Sequence, residues 1–138
     1  MNDQPTARPA PPRTDDPGDL TVADVMHADV TAMPPTVTVG ELRQWFAVSA
    51  SRRLAVIADD ARYAAALTPR DLDERMPAQQ PALEVARDLA TITPDAPAAT
   101  GRDLVFAADA RRVPVVDRDG RFHGVLAVTT DLQFFACP

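Results

Sequence analysis

The sequence predicts an α/β (α+β) fold. Two βαββα repeats pack about a pseudo-twofold axis, behind a disordered N-terminal arm. Three observations predict it. The chain repeats itself at a spacing near 60 residues. Arg52-Arg53-Leu54-Ala55-Val56-Ile57-Ala58-Asp59-Asp60 lines up with Arg111-Arg112-Val113-Pro114-Val115-Val116-Asp117-Arg118-Asp119, two short runs rich in β-branched residues. An extended segment ends at Pro34 in one half and at Pro94 in the other, because proline lacks an N–H and holds its predecessor extended.

Taken in order, residues 1–19 carry five prolines, four Asp and almost no large apolar side chains, too little to offset the entropy of ordering. They form the arm. Repeat 1 spans 20–76 and repeat 2 spans 82–138, with 77–81 as a polar, proline-bearing connector. Thr21-Val22-Ala23-Asp24-Val25-Met26 opens the first, and Leu83-Glu84-Val85-Ala86-Arg87-Asp88-Leu89 echoes it before the second. Thr38 and Glu41 form a capping box that starts a helix carrying Leu42, Trp45 and Phe46 at helical spacing. Its counterpart runs from Ala98 to Asp109 and is weakened by Gly101. Asp119-Gly120 signals a tight hairpin turn into Arg121–Val128, and Arg62–Leu67 is the matching return strand of the first half. Short helices over Pro69–Met76 and Thr130–Ala136 close the two units. One such unit has few apolar residues; two sharing a core bury far more surface.

Composition narrows the function. Among 138 residues, 20 are acidic and 14 basic, all of the latter arginine, for a net charge of −6. That balance argues against a protein that neutralises nucleic-acid backbones. The longest apolar runs are about five residues against the ~18 a membrane span needs, and no apolar leader opens the chain. No membrane association and a cytoplasmic location are therefore expected. One cysteine rules out an internal disulfide and a Cys-rich metal site, His27 and His123 leave little material for a zinc centre or a His-based triad, and no phosphate-binding glycine loop is present. The expectation is that the chain is not an enzyme and needs no metal or cofactor.

These features together resemble a tandem pair of CBS domains, the repeat named after cystathionine β-synthase. The resemblance rests on Val22–Met26, the segment ending at Pro34, the Val113–Asp117 strand, the Asp119-Gly120 turn and the Gly124-Val125-Leu126 strand. Leu67-Thr68-Pro69-Arg70-Asp71-Leu72 matches the family's strand-end T-x-x-D-L motif without a gap. The resemblance covers Leu20 to about Phe135. The chain departs from the pattern at Ala55, Ala65 and the glycine-free turn Asp59-Asp60-Ala61-Arg62. Ala127 takes the threonine position of the second motif, and Ala127–Asp131 is one residue too long.

The resemblance implies a stand-alone regulatory module that binds an adenosine-containing ligand between the repeats: ATP, ADP, AMP, NADH or S-adenosylmethionine. It implies a homodimer, with Trp45-Phe46 as a candidate contact, and a regulated partner protein. Thr68 lies where a strand hands over to a helix, so its hydroxyl and nearby free N–H groups can face a phosphate. Asp71 is an acceptor-only carboxylate able to take both hydroxyls of a ribose. Arg70 can neutralise phosphate. Thr31 and Thr91, before the two prolines, are candidates for base or phosphate contacts, and Thr130 and Asp131 are the counterparts in the second copy. The competing reading is local: Thr-x-x-Asp also serves as a helix cap. On that reading the pair is a degenerate, ligand-free dimerisation scaffold.

Overall fold

The computed structural model describes residues 13–15, 17–129, 132–133 and 135. The element order is α1 (Val22–Val25), α2 (Val39–Val48), β1 (Ala55–Asp59), β2 (Arg62–Leu67), α3 (Ala98–Ala107), β3 (Arg112–Val116) and β4 (Phe122–Ala127), with single 3-10 turns at Pro69–Asp71 and Ala82–Glu84. β1 and β2 form one antiparallel hairpin, and β3 and β4 form the other. The mixed helix and strand content expected from the sequence is present.

The segments before Pro34 and Pro94 are extended, but each pairs through one residue. Met33 bridges Ile57 in parallel, and Ile92 bridges Val115. α2 begins as its sequence dictates: the Glu41 N–H donates to Thr38 Oγ1 at 3.2 Å, and the Thr38 N–H donates to Glu41 Oε1 at 3.1 Å. Gly101, a weak helix former, sits where α3 meets β4 and α1. A Cβ there would lie 2.5 Å from Leu126 Cδ2 and 3.0 Å from Val22 Cγ2.

The two closing helices differ from expectation. After Asp71 the chain leaves helical geometry, because the Asp73 carboxylate accepts from the Arg75 N–H at 2.9 Å and organises a local turn instead. Arg43 Nη2 then donates to the carbonyls of Asp73 and Met76, tying that turn to α2. Of the expected Thr130–Ala136 helix, only 132, 133 and 135 are described. Leu132 is left-handed (φ 64°), and Phe135 is fully buried and bridges back to Val128.

Most of the arm lies outside the described residues. Thr14, assigned above to the arm, is only 3% exposed. Its N–H donates to the Gln133 carbonyl (2.8 Å), its hydroxyl donates to the Leu132 carbonyl (2.6 Å), and its own carbonyl accepts from Arg102 (3.0 Å).

The pseudo-twofold relation is visible in paired bridges. Thr21 pairs with Pro97 as Thr38 pairs with Pro81, and His27 pairs with Val125 as Arg87 pairs with Ala66. These bridges show that the leading segments are exchanged. Val22 and Val25 bury against Ile92, Val105, Val113 and Leu126 of the second half. Ala82, Val85 and Ala86 pack with Leu42, Ile57 and Leu67 of the first. Trp45 and Phe46 are half-buried against that first cluster, with the Arg52 guanidinium 4.7 Å above the Trp45 ring. A third cluster of Leu54, Val56, Ala66 and Val125 joins the hairpins, whose tips meet where the Tyr63 N–H donates to the Gly120 carbonyl and the Phe122 N–H to the Ala61 carbonyl.

Candidate functional site

Exchange of the leading segments brings β2's C-terminal end against residues 87–90 and the C-terminal end of α3. A cavity of about 230 Å³ opens there, lined by Thr68, Arg87, Leu89, Leu104, Asp109 and Arg112 among others. A second hollow of about 250 Å³ shares Thr68 and Asp109 with it and adds Arg53 and Arg70. This cavity lies between the two repeats.

Thr68 is 5% exposed, one of the few buried polar side chains. Its N–H and its hydroxyl both donate to Asp71 Oδ2, at 2.8 and 3.2 Å. Pro69 takes the first position of the 3-10 turn, where its missing N–H costs nothing. The cap reading of Thr68 and Asp71 is thus realised in the geometry. Thr68 also lines both hollows, whereas Asp71 is among the lining residues of neither. The other Asp71 oxygen, Oδ1, accepts from Arg87 Nε at 3.0 Å.

Cations gather round the opening. Arg70 is exposed at the turn, and Arg53 and Arg112 approach each other from the two repeats. The Arg112 guanidinium is held below its ordinary value, first by burial and then by the Arg53 charge. It donates to the Ala110 carbonyl at 3.0 Å and the Ser51 carbonyl at 3.3 Å. Among the described residues, no carboxylate forms an ion pair with Arg53, Arg70 or Arg112. Two uncompensated like charges in a half-buried cleft favour an anion.

Arg53, Arg111, Arg112 and Thr129 line the counterpart cleft, about 320 Å³. Thr130 and Asp131 lie outside the described residues. Thr31 and Thr91 are exposed and line neither cleft; Leu89 and Ala90, just before Thr91, are the residues on the wall. Arg87 and Asp109 are site residues that the sequence reading missed. Nothing local marks them, since each reaches the cleft only through the fold. Among the described residues, no group of three His, Cys, Asp or Glu is placed to hold a metal ion, and no helix is long and apolar enough to cross a membrane.

Residues 83–129 match the family model for the CBS domain. No curated protein matches the sequence. Among solved structures, the cystathionine beta-synthase pair domain of SO5017 from Shewanella oneidensis superposes with a TM-score of 0.69 at 14% identity, covering 78% of this chain and 64% of that one. The chain therefore spans a little under two thirds of that protein's length. CBSX2 from Arabidopsis thaliana, a CBS-pair protein, gives 0.69 at 17% identity over 80% and 89% of the two chains. The CBS domain protein PAE2072 from Pyrobaculum aerophilum, complexed with AMP, gives 0.67 at 23% identity over 78% and 87%. The fold is that of a CBS pair. Residues 83–129 carry the CBS domain match.

Proposed function

We propose that this chain is a regulatory module that binds an adenosine-containing ligand in the cleft at Thr68–Asp71 and signals to a separate partner protein. The observation that carries the reading is the composition of the cleft wall. The buried Thr68 hydroxyl and the Asp109 carboxylate line one cavity with Leu89 and Leu104, with Asp71 bonded to Thr68 and with arginines beside it that have no carboxylate partner among the described residues. Apolar side chains suit a base, the carboxylate suits ribose hydroxyls, and the arginines suit phosphate. The AMP complex of the Pyrobaculum aerophilum relative supports the same ligand class. Thr31 and Thr91 would contact ligand only after the extended segments move, and Thr130 and Asp131 would serve the second cleft. A ligand binding one arrangement of the halves more tightly would shift the population toward it, which is how the module would signal. The exposed Val48 on α2, beside Trp45 and Phe46, is the surface through which we propose two copies pair in the cytoplasm.

The test is thermal unfolding with ATP, ADP, AMP, NADH and S-adenosylmethionine, repeated for Asp71→Ala. A ligand at ~100 times its Kd adds about 2.7 kcal/mol, a rise of several degrees in Tm. No shift with any of them supports the second reading, a ligand-free scaffold. One observation favours that reading: the Asp71 carboxylate is already occupied from within the protein.

A further inference from the structure

Asp71 has one oxygen committed to the Thr68 cap and the other to Arg87. A carboxylate offers about four lone-pair sites, and three are used. A ribose cis-diol needs two, one for each hydroxyl, so it cannot dock on Asp71 while Arg87 stays. Arg87 cannot leave as a whole. Its N–H donates to the Ala66 carbonyl at 2.9 Å, and its carbonyl accepts from the Ala66 N–H at 3.1 Å. Its side chain, however, has a second carboxylate within reach. Arg87 Nη1 lies 3.8 Å from Asp109 Oδ2, on the far rim of the same cavity. The Asp71 side chain is 15% exposed and that of Asp109 70%, so a swing carries the guanidinium toward the more exposed carboxylate.

We propose that Arg87 is a built-in competitor for the ligand's ribose, a specificity-setting latch that rests on Asp71 in the free protein and moves to Asp109 when a cis-diol binds. The inference rests on the ligand reading above and names how that site is gated. It also sets the two clefts apart, because the residue at Arg87's pseudo-symmetric position is His27, which is shorter. A half-exposed ion pair contributes up to about a fivefold effect on an equilibrium, so the latch tunes affinity and does not abolish binding.

The experiment is calorimetric titration of the full chain and Arg87→Ala with AMP and with 2′,3′-dideoxy-AMP. Removing the latch is expected to tighten AMP binding about threefold to fivefold while leaving the dideoxy analogue unchanged. Weaker binding of AMP by Arg87→Ala, or an equal gain for both ligands, overturns the latch and leaves the ligand reading standing. No binding of either ligand to either protein overturns both. A circular-dichroism melt of each protein confirms that the variant is folded at the titration temperature.

Discussion

Ala61 sits in the β1–β2 turn at a φ of 68°, next to Asp60 at 50°, where an L side chain strains against its own carbonyl. Asp60 tolerates this conformation better than Ala61 does, since its side chain can bond locally. Ala61→Gly is expected to raise stability by about 1 kcal/mol, read as a higher urea midpoint at constant m-value. Gly124 is the opposite case. A Cβ there would lie 2.0 Å from the His27 carbonyl oxygen, a main-chain atom that cannot step aside. Gly124→Ala should therefore cost about 3 kcal/mol or more and disrupt the His27–Val125 bridge. Ala65, which departs from the family's glycine in the first copy, is accommodated at the equivalent position. In the other hairpin, the Asp117 carboxylate is held below its ordinary range, chiefly by the 2.8 Å bond to His123 and then by the Arg121 N–H. A depressed carboxylate contributes stability that is present above its unfolded value and lost as pH falls through the folded one. Asp117→Asn should thus lower Tm near neutral pH, with the difference shrinking in melts below about pH 4. The motif residues Thr68 and Asp71 were legible in the sequence as a pair. Which oxygen of Asp71 is taken, and by what, was not, because Arg87 is distant along the chain.

At the scale of elements, the repeat, both hairpins, α2 and most of α3 followed from periodicity, prolines and one capping box. The exchange of leading segments did not. A four-residue helix such as α1 carries no information about which core receives Val22 and Val25; tertiary pairing of Thr21 with Pro97 decides it. The Pro69–Met76 helix failed for a local reason, the Asp73 side chain competing for the backbone. The exchange makes a directional prediction. Val22→Ala removes fully buried methyl groups from the second half's cluster, at a cost of about 2 kcal/mol. Hydrogen exchange should quicken in α3 and β4 before β1 and β2. Leu42→Ala, fully buried in the other cluster, should cost about 3 kcal/mol and loosen the first half instead. Faster exchange in the segment's own repeat would contradict the exchanged arrangement.

Across the whole molecule, the pseudo-twofold arrangement turns an acidic chain into one with a locally cationic seam. The net charge is −6, yet Arg53 and Arg112 meet between the repeats, and Arg70 stands at the rim. A free anion of nucleotide size needs only those few cations, whereas a nucleic-acid backbone needs a continuous track. Both clefts share Arg53 and Arg112, and Thr68, bonded to Asp71, lines the first. On the proposed reading, the ligand is recognised in the first cleft. Amide NMR of the full chain during titration with AMP tests that assignment most directly. The account predicts saturable shifts confined to residues 68–71, 87–90 and 109–112, and their loss in Asp71→Ala. Unchanged spectra at millimolar AMP, or shifts centred on the Arg102–Phe106 face, would contradict it.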